Sequence, residues 1–363
     1  MRVKCSLLMA TALAAASFAA TAGAAELKKI AEIAIPGTPM DSFDISFVDQ
    51  KTQRYYLADR NNKAVDVFDA KDNKFIGRAE GFVGVGMVDG KPASSVSGPN
   101  GVLVIGDQIW AGDGDSTIKI IDIKTLKIVE TIPSGGQKRA NEMTYDPKDQ
   151  IFIIGMQNEK PPFTLMVSTK PGHKIIGKLM MPDATDGNEQ PVYNPADGLV
   201  YQSIPQLKNE EKKGGVAVID PRTAKLVKIL DVENCSPNGL AFGPDGNFVL
   251  GCTADGKKMD KSPPIITVMN FKTGKVVANV PEIGAADMVA YSKKNNQYYT
   301  ASRAMPEGPV LGVIDAKTNK LVQKIALKGG NPHSVGVNDN NGHVFVPVGA
   351  QGGGCSCIQV YGM

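Results

Sequence analysis

Three observations predict an all-β chain folded as a seven-bladed β-propeller: a phrase that recurs along the sequence, a hairpin ahead of each copy, and an unpaired strand at either end. The phrase is an apolar strand closing on Asp, a turn carrying Lys, Thr or Gly, and a second apolar strand. It reads VFDAKDNKFIG up to Gly77, IIDIKTLKIVE up to Glu130, VIDPRTAKLVK up to Lys228 and VIDAKTNKLVQ up to Gln323. Weaker copies are VSTKPGHKIIG up to Gly177 and MNFKTGKVVAN up to Asn279. The anchors Asp69, Asp122, Ser168, Asp220, Asn270 and Asp315 stand 45 to 53 residues apart, room for four short strands per unit.

In chain order, Arg2 and Lys4, the apolar run Leu7 to Ala20 and the small residues Ala22-Gly23-Ala24 form a secretory signal peptide over residues 1–25. The run is short and Ala-rich for a membrane span, and Cys5 precedes it, unlike a lipoprotein cysteine. An uncleaved anchor is the other reading. Residues 26–363 are then one exported domain, with the periplasm its expected location. LKKIAEIAIPG comes next, then seven hairpins: FDISFVDQKTQRYYLA, NGVLVIGDQIWAG, ANEMTYDPKDQIFIIG, NEQPVYNPADGLVYQS, SPNGLAFGPDGNFVLGC, DMVAYSKKNNQYYTA and HSVGVNDNNGHVFVP. Their Asp-Gly and Pro-Asp pairs suit tight turns, Gly supplying positive φ and Pro presetting the first turn residue. The seventh unit has only CIQVYG after its hairpin. The strand near 27–35 is expected to complete it, closing the ring and covering an exposed edge.

The 40 Lys and Arg against 37 Asp and Glu leave a net charge of +3, lower still without Arg2 and Lys4. So balanced a chain has no electrostatic case for nucleic acid or an anionic membrane as its main partner. A small molecule or a periplasmic protein is the expected partner. The mixed-sign run from Lys208 to Lys213 reads as a solvated loop.

The repeats VAVIDPRTAKLV and LGVIDAKTNKLV, each behind a hairpin with a PDG-like turn, resemble the YVTN-repeat propellers and their YncE-like bacterial members over nearly all of residues 26–363. That family includes binding, scaffold and enzyme-subunit roles, so the resemblance implies the fold and leaves the job to the site.

In a propeller the innermost strand of each blade runs along a central channel, and residues at its start line one mouth. Aligned hairpins place Phe43, Asn100, Asn141, Glu189, Asn238, Asp287 and His333 there, with Asp44 and Glu142 replacing Phe43 and Asn141 if a bulge shifts the register. Converging amide and carboxylate oxygens suit a hard cation, so Ca²⁺ on Glu189, Asn238, Asp287 and Asp44 is the expected metal site. SPNGLAFGPDG also resembles the Asn-bearing hairpin of the regucalcin and gluconolactonase propellers. That resemblance implies a Ca²⁺-dependent lactonase-type hydrolase, with Asn238 and Asp287 as ligands. Blade 1 departs from that pattern, offering Asp41 or Asp44 where those propellers use Glu. The plainer alternative is a wet channel without an ion, in a non-catalytic propeller that binds at its mouth. His333 reads either as a general base or as a hydrogen-bonded channel residue. His173 and His343 read as structural, and Trp110 as core.

Cys235, Cys252, Cys355 and Cys357 all fall on the mouth side, which in an exported chain reads as disulfides, with Cys235 opposite Cys252 across a hairpin. Cys355 and Cys357 form a short ring if bridged. Their alternative is a soft-metal site for Cu(I), with Met259 or His333. The Gly-rich segment Gly81 to Gly98 reads as a flap over the mouth or an ordinary surface loop. No GxSxG, HExxH or CxxCH occurs.

Overall fold

The computed structural model describes residues 26–210, 212–253 and 265–363. Seven antiparallel four-stranded sheets make a β-propeller. The inner strands are Phe43–Asp49, Val102–Ile105, Met143–Asp146, Pro191–Asn194, Pro237–Phe242, Ala286–Ser292 and Gly336–Asn338. Each packs against the next, and the seventh packs against the first. Strand Lys28–Ala34 pairs antiparallel with Cys357–Gly362 as the outermost strand of blade 7.

The recurring phrase has a physical explanation. Each anchor side chain accepts a hydrogen bond from a backbone N–H two or three residues on: Asp69 from Lys71, Asp122 from Lys124, Ser168 from Lys170, Asp220 from Arg222, Asn270 from Lys272 and Asp315 from Thr318. The turn closes on a left-handed residue, Asn73, Leu126, His173, Ala224, Gly274 or Asn319. A Lys then stands at the start of the fourth strand or, in blades 2 and 3, one residue before it, and the strand carries a β-bulge. In every blade one aliphatic residue is skipped in the pairing: Ile30, Ile76, Val129, Ile176, Val227, Val277 or Val322. These side chains are 41 to 58% exposed. A bulge on each outer strand interrupts the flat row of N–H and C=O groups that would pair with another chain.

The core is divided among the gaps between blades. The third strand of blade 4, Lys213–Asp220, shows why it reads as a continuous apolar run. Its Val216 and Val218 pack with Leu240, Phe248 and Leu250 of blade 5, while Ala217 and Ile219 pack with Ile151, Ile153 and Met166 of blade 3. Equivalent clusters fill the other five gaps, and Ile33 of the outermost strand joins the one between blades 7 and 1. A sheet buried on both faces needs a neighbour on each side. Trp110 is fully buried between blades 2 and 3.

Removing residues 26–35 should strip blade 7 of its outer strand and uncover the backbone of Cys357–Gly362. The expected result is a chain that aggregates and melts well below the parent. Sedimentation velocity and thermal melts check this, and parental behaviour would show the strand to be dispensable.

Candidate functional site

Two positions in each blade build the mouth of the channel: the start of the inner strand and the residue just after the second strand. Antiparallel pairing brings both to the same end. In the first set, Asp44, Asn238 and Asp287 each lie one residue past the point where the inner strand slips register against the second. At blade 1 the slip makes Asp44 the polar group of the ring. Phe43 beside it is buried and stacks on His333, with ring centroids 4.5 Å apart. At blade 3, Glu142 lines the cavity and Asn141 stands behind it. In the second set come Arg60, Gln157, Pro205 and Arg303, and Arg139 enters from the segment leading into blade 3. They enclose a cavity of about 680 Å³ with Glu189 and Asp186 of blade 4 and Ser236 of blade 5.

Nearly every charged group here already has a partner. Asp44 Oδ2 accepts from Arg60 Nη2 and, at 3.3 Å, from Arg139 Nη1, while His333 Nε2 lies 3.5 Å from Oδ1. Asp287 Oδ1 accepts from Asn238 Nδ2 at 3.0 Å, and Arg303 Nη1 lies 3.3 Å from Oδ2. Glu189 accepts from Gln157 Nε2 at one oxygen and from Asn141 Nδ2, at 3.4 Å, at the other. Gln157 in turn accepts from Arg139 Nη2 at 2.7 Å and from Asn141 at 2.8 Å. Asn100 sits behind the wall as a bracket, accepting from Arg60 Nη2 at 2.6 Å and donating to the Ser97 and Ala140 carbonyls. Glu142 is the exception: it is 4% exposed and its Oε2 is buried with no hydrogen-bond partner.

Of the residues expected at the channel, Asp44, Glu189, Asn238, Asp287 and His333 therefore line the cavity, while Asn100 and Asn141 brace it. Sequence reasoning passed over Arg60, Arg139, Arg303 and Gln157. A signal was present for three of them: the residue after the second strand recurs with the blades as Arg60, Asp113, Gln157, Pro205, Thr253, Arg303 and Gly349. These arginines change the argument for a metal, because the charge of Asp44 and Asp287 is already compensated. Among the described residues, no three carboxylate or imidazole ligand atoms of the cavity lie within 4.8 Å of one another. Ca²⁺ asks for about six to eight oxygens at roughly 2.3–2.6 Å. The cavity's carboxylates and imidazole do not by themselves converge as that ion requires.

The mouth face also carries both disulfides. Cys235 and Cys252 are bonded across the first hairpin of blade 5, their Cα atoms 4.9 Å apart, and Cys355 is bonded to Cys357. Cys355 and Cys357 lie close to Glu32, but bridged sulfurs are not the thiolates that a soft metal takes. Met259 lies outside the described residues. The segment Gly81 to Gly98 is a pinned hairpin: Gly84 and Gly98 exchange both backbone hydrogen bonds, strands Met87–Val88 and Lys91–Pro92 pair above them, and Val85, Pro92 and Ser94 reach the cavity.

With this geometry in view, the chain matches no protein-family model, and no curated protein matches it in sequence.

Burial and neighbouring acids set the protonation of the site. Burial raises Glu142 and Glu189, and each is pushed further by the other carboxylates, Glu189 and Asp287 first for Glu142 and Asp287 first for Glu189. Burial would raise Asp44 as well, but Arg60, Arg139 and His333 outweigh it and hold its carboxyl well below the usual range. Away from the cavity, burial and the neighbouring Asp59 push Asp66 up to about 8. Between about pH 4 and 8 the folded chain keeps protons on the raised acids that the unfolded chain has lost, so stability falls as pH rises through that window. Asp44 acts in the opposite sense, its contribution being lost as pH falls below about 4. Melting temperature should therefore be higher at about pH 5.5 than at about pH 8, with a smaller difference in the double variant Glu142→Gln, Glu189→Gln. A profile that is flat or rises over that range would contradict the assignment. Separately, Cys235→Ser should cost about 3 kcal/mol in denaturant unfolding, the expectation for a loop of this length.

Proposed function

We propose that this chain is an exported propeller of the YncE-like kind that binds a small polar molecule in its axial cavity without transforming it. The carrying observation is a cavity of about 680 Å³ whose walls are charged and amide side chains held by one another. Its volume lies within the roughly 300–1,000 Å³ of small-molecule sites, and side chains fixed by ion pairs are preorganised for a polar guest. Among the described residues His333 meets the Asn331 carbonyl and Asp44, with no hydroxyl or thiol hydrogen-bonded to it, so the pairing of nucleophile and base is not built. Export is supported by the residues before Ala25 and agrees with two disulfides, which suit an oxidising compartment. Among the described residues no helix is long and apolar enough to cross a membrane.

The Ca²⁺-dependent hydrolase is the second reading, favoured by the contact between Asn238 and Asp287. The guanidinium of Arg303 beside Asp287 stands against it, since it supplies the positive charge that the ion would bring.

A panel of amines, carboxylic acids, sugars and divalent cations, followed by thermal melting, tests the two readings together. One organic class should raise the melting temperature with the logarithm of its concentration, and Arg303→Gln, which unpairs Asp287, should weaken that response if the guest is an anion and strengthen it if the guest is a cation. Silence of every organic class at millimolar concentration would end the binding proposal. A rise with Ca²⁺ that is lost in Asp287→Ala would restore the hydrolase.

A further inference from the structure

We infer that Glu142 is the recognition point of the cavity and that the molecule it takes carries an organic cation, an ammonium or guanidinium whose N–H groups are donated to that carboxylate. The inference rests on the cavity being a binding site and names the chemistry of its guest.

Of the six acids lining the cavity, Asp41 and Asp186 are exposed, which leaves four that are buried or half-buried. Asp44, Asp287 and Glu189 each have both oxygens engaged by arginine, histidine or amide groups of the protein. Glu142 lines the same cavity, is 4% exposed, and keeps Oε2 buried without a donor. Burial and the neighbouring carboxylates favour a proton on Glu142 by itself, and a cation placed beside it favours the carboxylate form, whose oxygens accept from the ligand's N–H groups. The surroundings choose the sign of that ligand. Arg60, Arg139 and Arg303 are engaged by Asp44, Asn100, Gln157 and Asp287, although the buried Nε atoms of Arg60 and Arg139 have no acceptor, and six acids against three arginines in the lining favour a cation over an anion. Of the four acids compared, Asp44 and Asp287 are paired with arginines, while Glu142 and Glu189 show no such ion pair among the described residues.

The surroundings also choose between a metal ion and an organic cation. A bare ion needs its ligand atoms converging on one point, and among the described residues no three carboxylate or imidazole atoms of the cavity lie within 4.8 Å of one another. An ammonium or guanidinium needs only one or two acceptors on one side and fills space on the other. The cavity of about 680 Å³ provides that space. Its far wall, with Ser236, Asn238 and His333, offers hydrogen-bonding groups to the rest of a polar molecule.

Isothermal titration of the whole protein with agmatine, putrescine, calcium chloride, citrate and glucose tests this. Agmatine or putrescine should bind. Glu142→Gln, which keeps the side-chain shape but cannot ionise, should weaken that binding about tenfold or more. Glu142→Asp, which can still ionise beside a cation, should retain most of it, and Glu210→Gln at an exposed loop should leave it within about twofold. Amine affinity unchanged in Glu142→Gln would overturn the inference. If only citrate or glucose binds, the cavity remains a binding site and the cation inference falls. If calcium binds and the amines do not, the metal reading replaces it. If no probe binds, the inference falls, and the wider panel above decides separately whether the cavity binds anything.

Discussion

Everything in this molecule depends on one packing constraint: each sheet is apolar on both faces. Val216 and Val218 of blade 4 belong to one neighbour, and Ala217 and Ile219 to the other. Such a sheet cannot sit at the outside of a stack, because one face would be left in water. A closed ring gives every blade two neighbours, and seven wedge-shaped cores replace the single core of most domains. The outer strands pay for this arrangement with an exposed edge on each blade, and the sevenfold bulge with its protruding aliphatic residue answers that liability.

Closure also creates the site. Once the inner strands surround an axis, the residues at their starts must face one another, whatever their charge. Six acids and three arginines line one confined space, and the arrangement of the buried ones follows from the need to keep buried charges paired. Asp44 is the hub, engaged by Arg60, Arg139 and His333 from three different blades. A second network runs through Gln157, which relays between Arg139 and Glu189. Glu142 falls outside both. Polar groups that are satisfied hold the wall in shape, and Glu142 is the buried acid among them whose Oε2 has no partner.

Much of the fold was legible in the chain because its causes are local and repeated. An Asp that caps a turn, a left-handed residue before Lys and a two-residue aliphatic step all act within about ten residues, so the repetition of VIDPRTAKLV is repetition of a structure. The opposition of Cys235 and Cys252 was legible for the same reason, since a hairpin sets it. The polar ring was partly legible: periodicity located Glu189, Asn238, Asp287 and His333 at the cavity. It named Phe43 at blade 1, with Asp44 held in reserve, because a register slip reverses inside and outside and leaves no clear mark in composition.

What the sequence alone determined is the blade, its turns, its number of repeats and the end of the channel at which polar residues gather. What only the tertiary structure decided is which charges cancel. Arg60 and Asp44 are 16 residues apart, but Arg139 and Asp44 are 95 apart. Such pairings depend on the rotation between blades and on which side chain reaches across the axis first. Electrostatic energy depends on distance in space, and distance along the chain carries no information about it once the ring has closed.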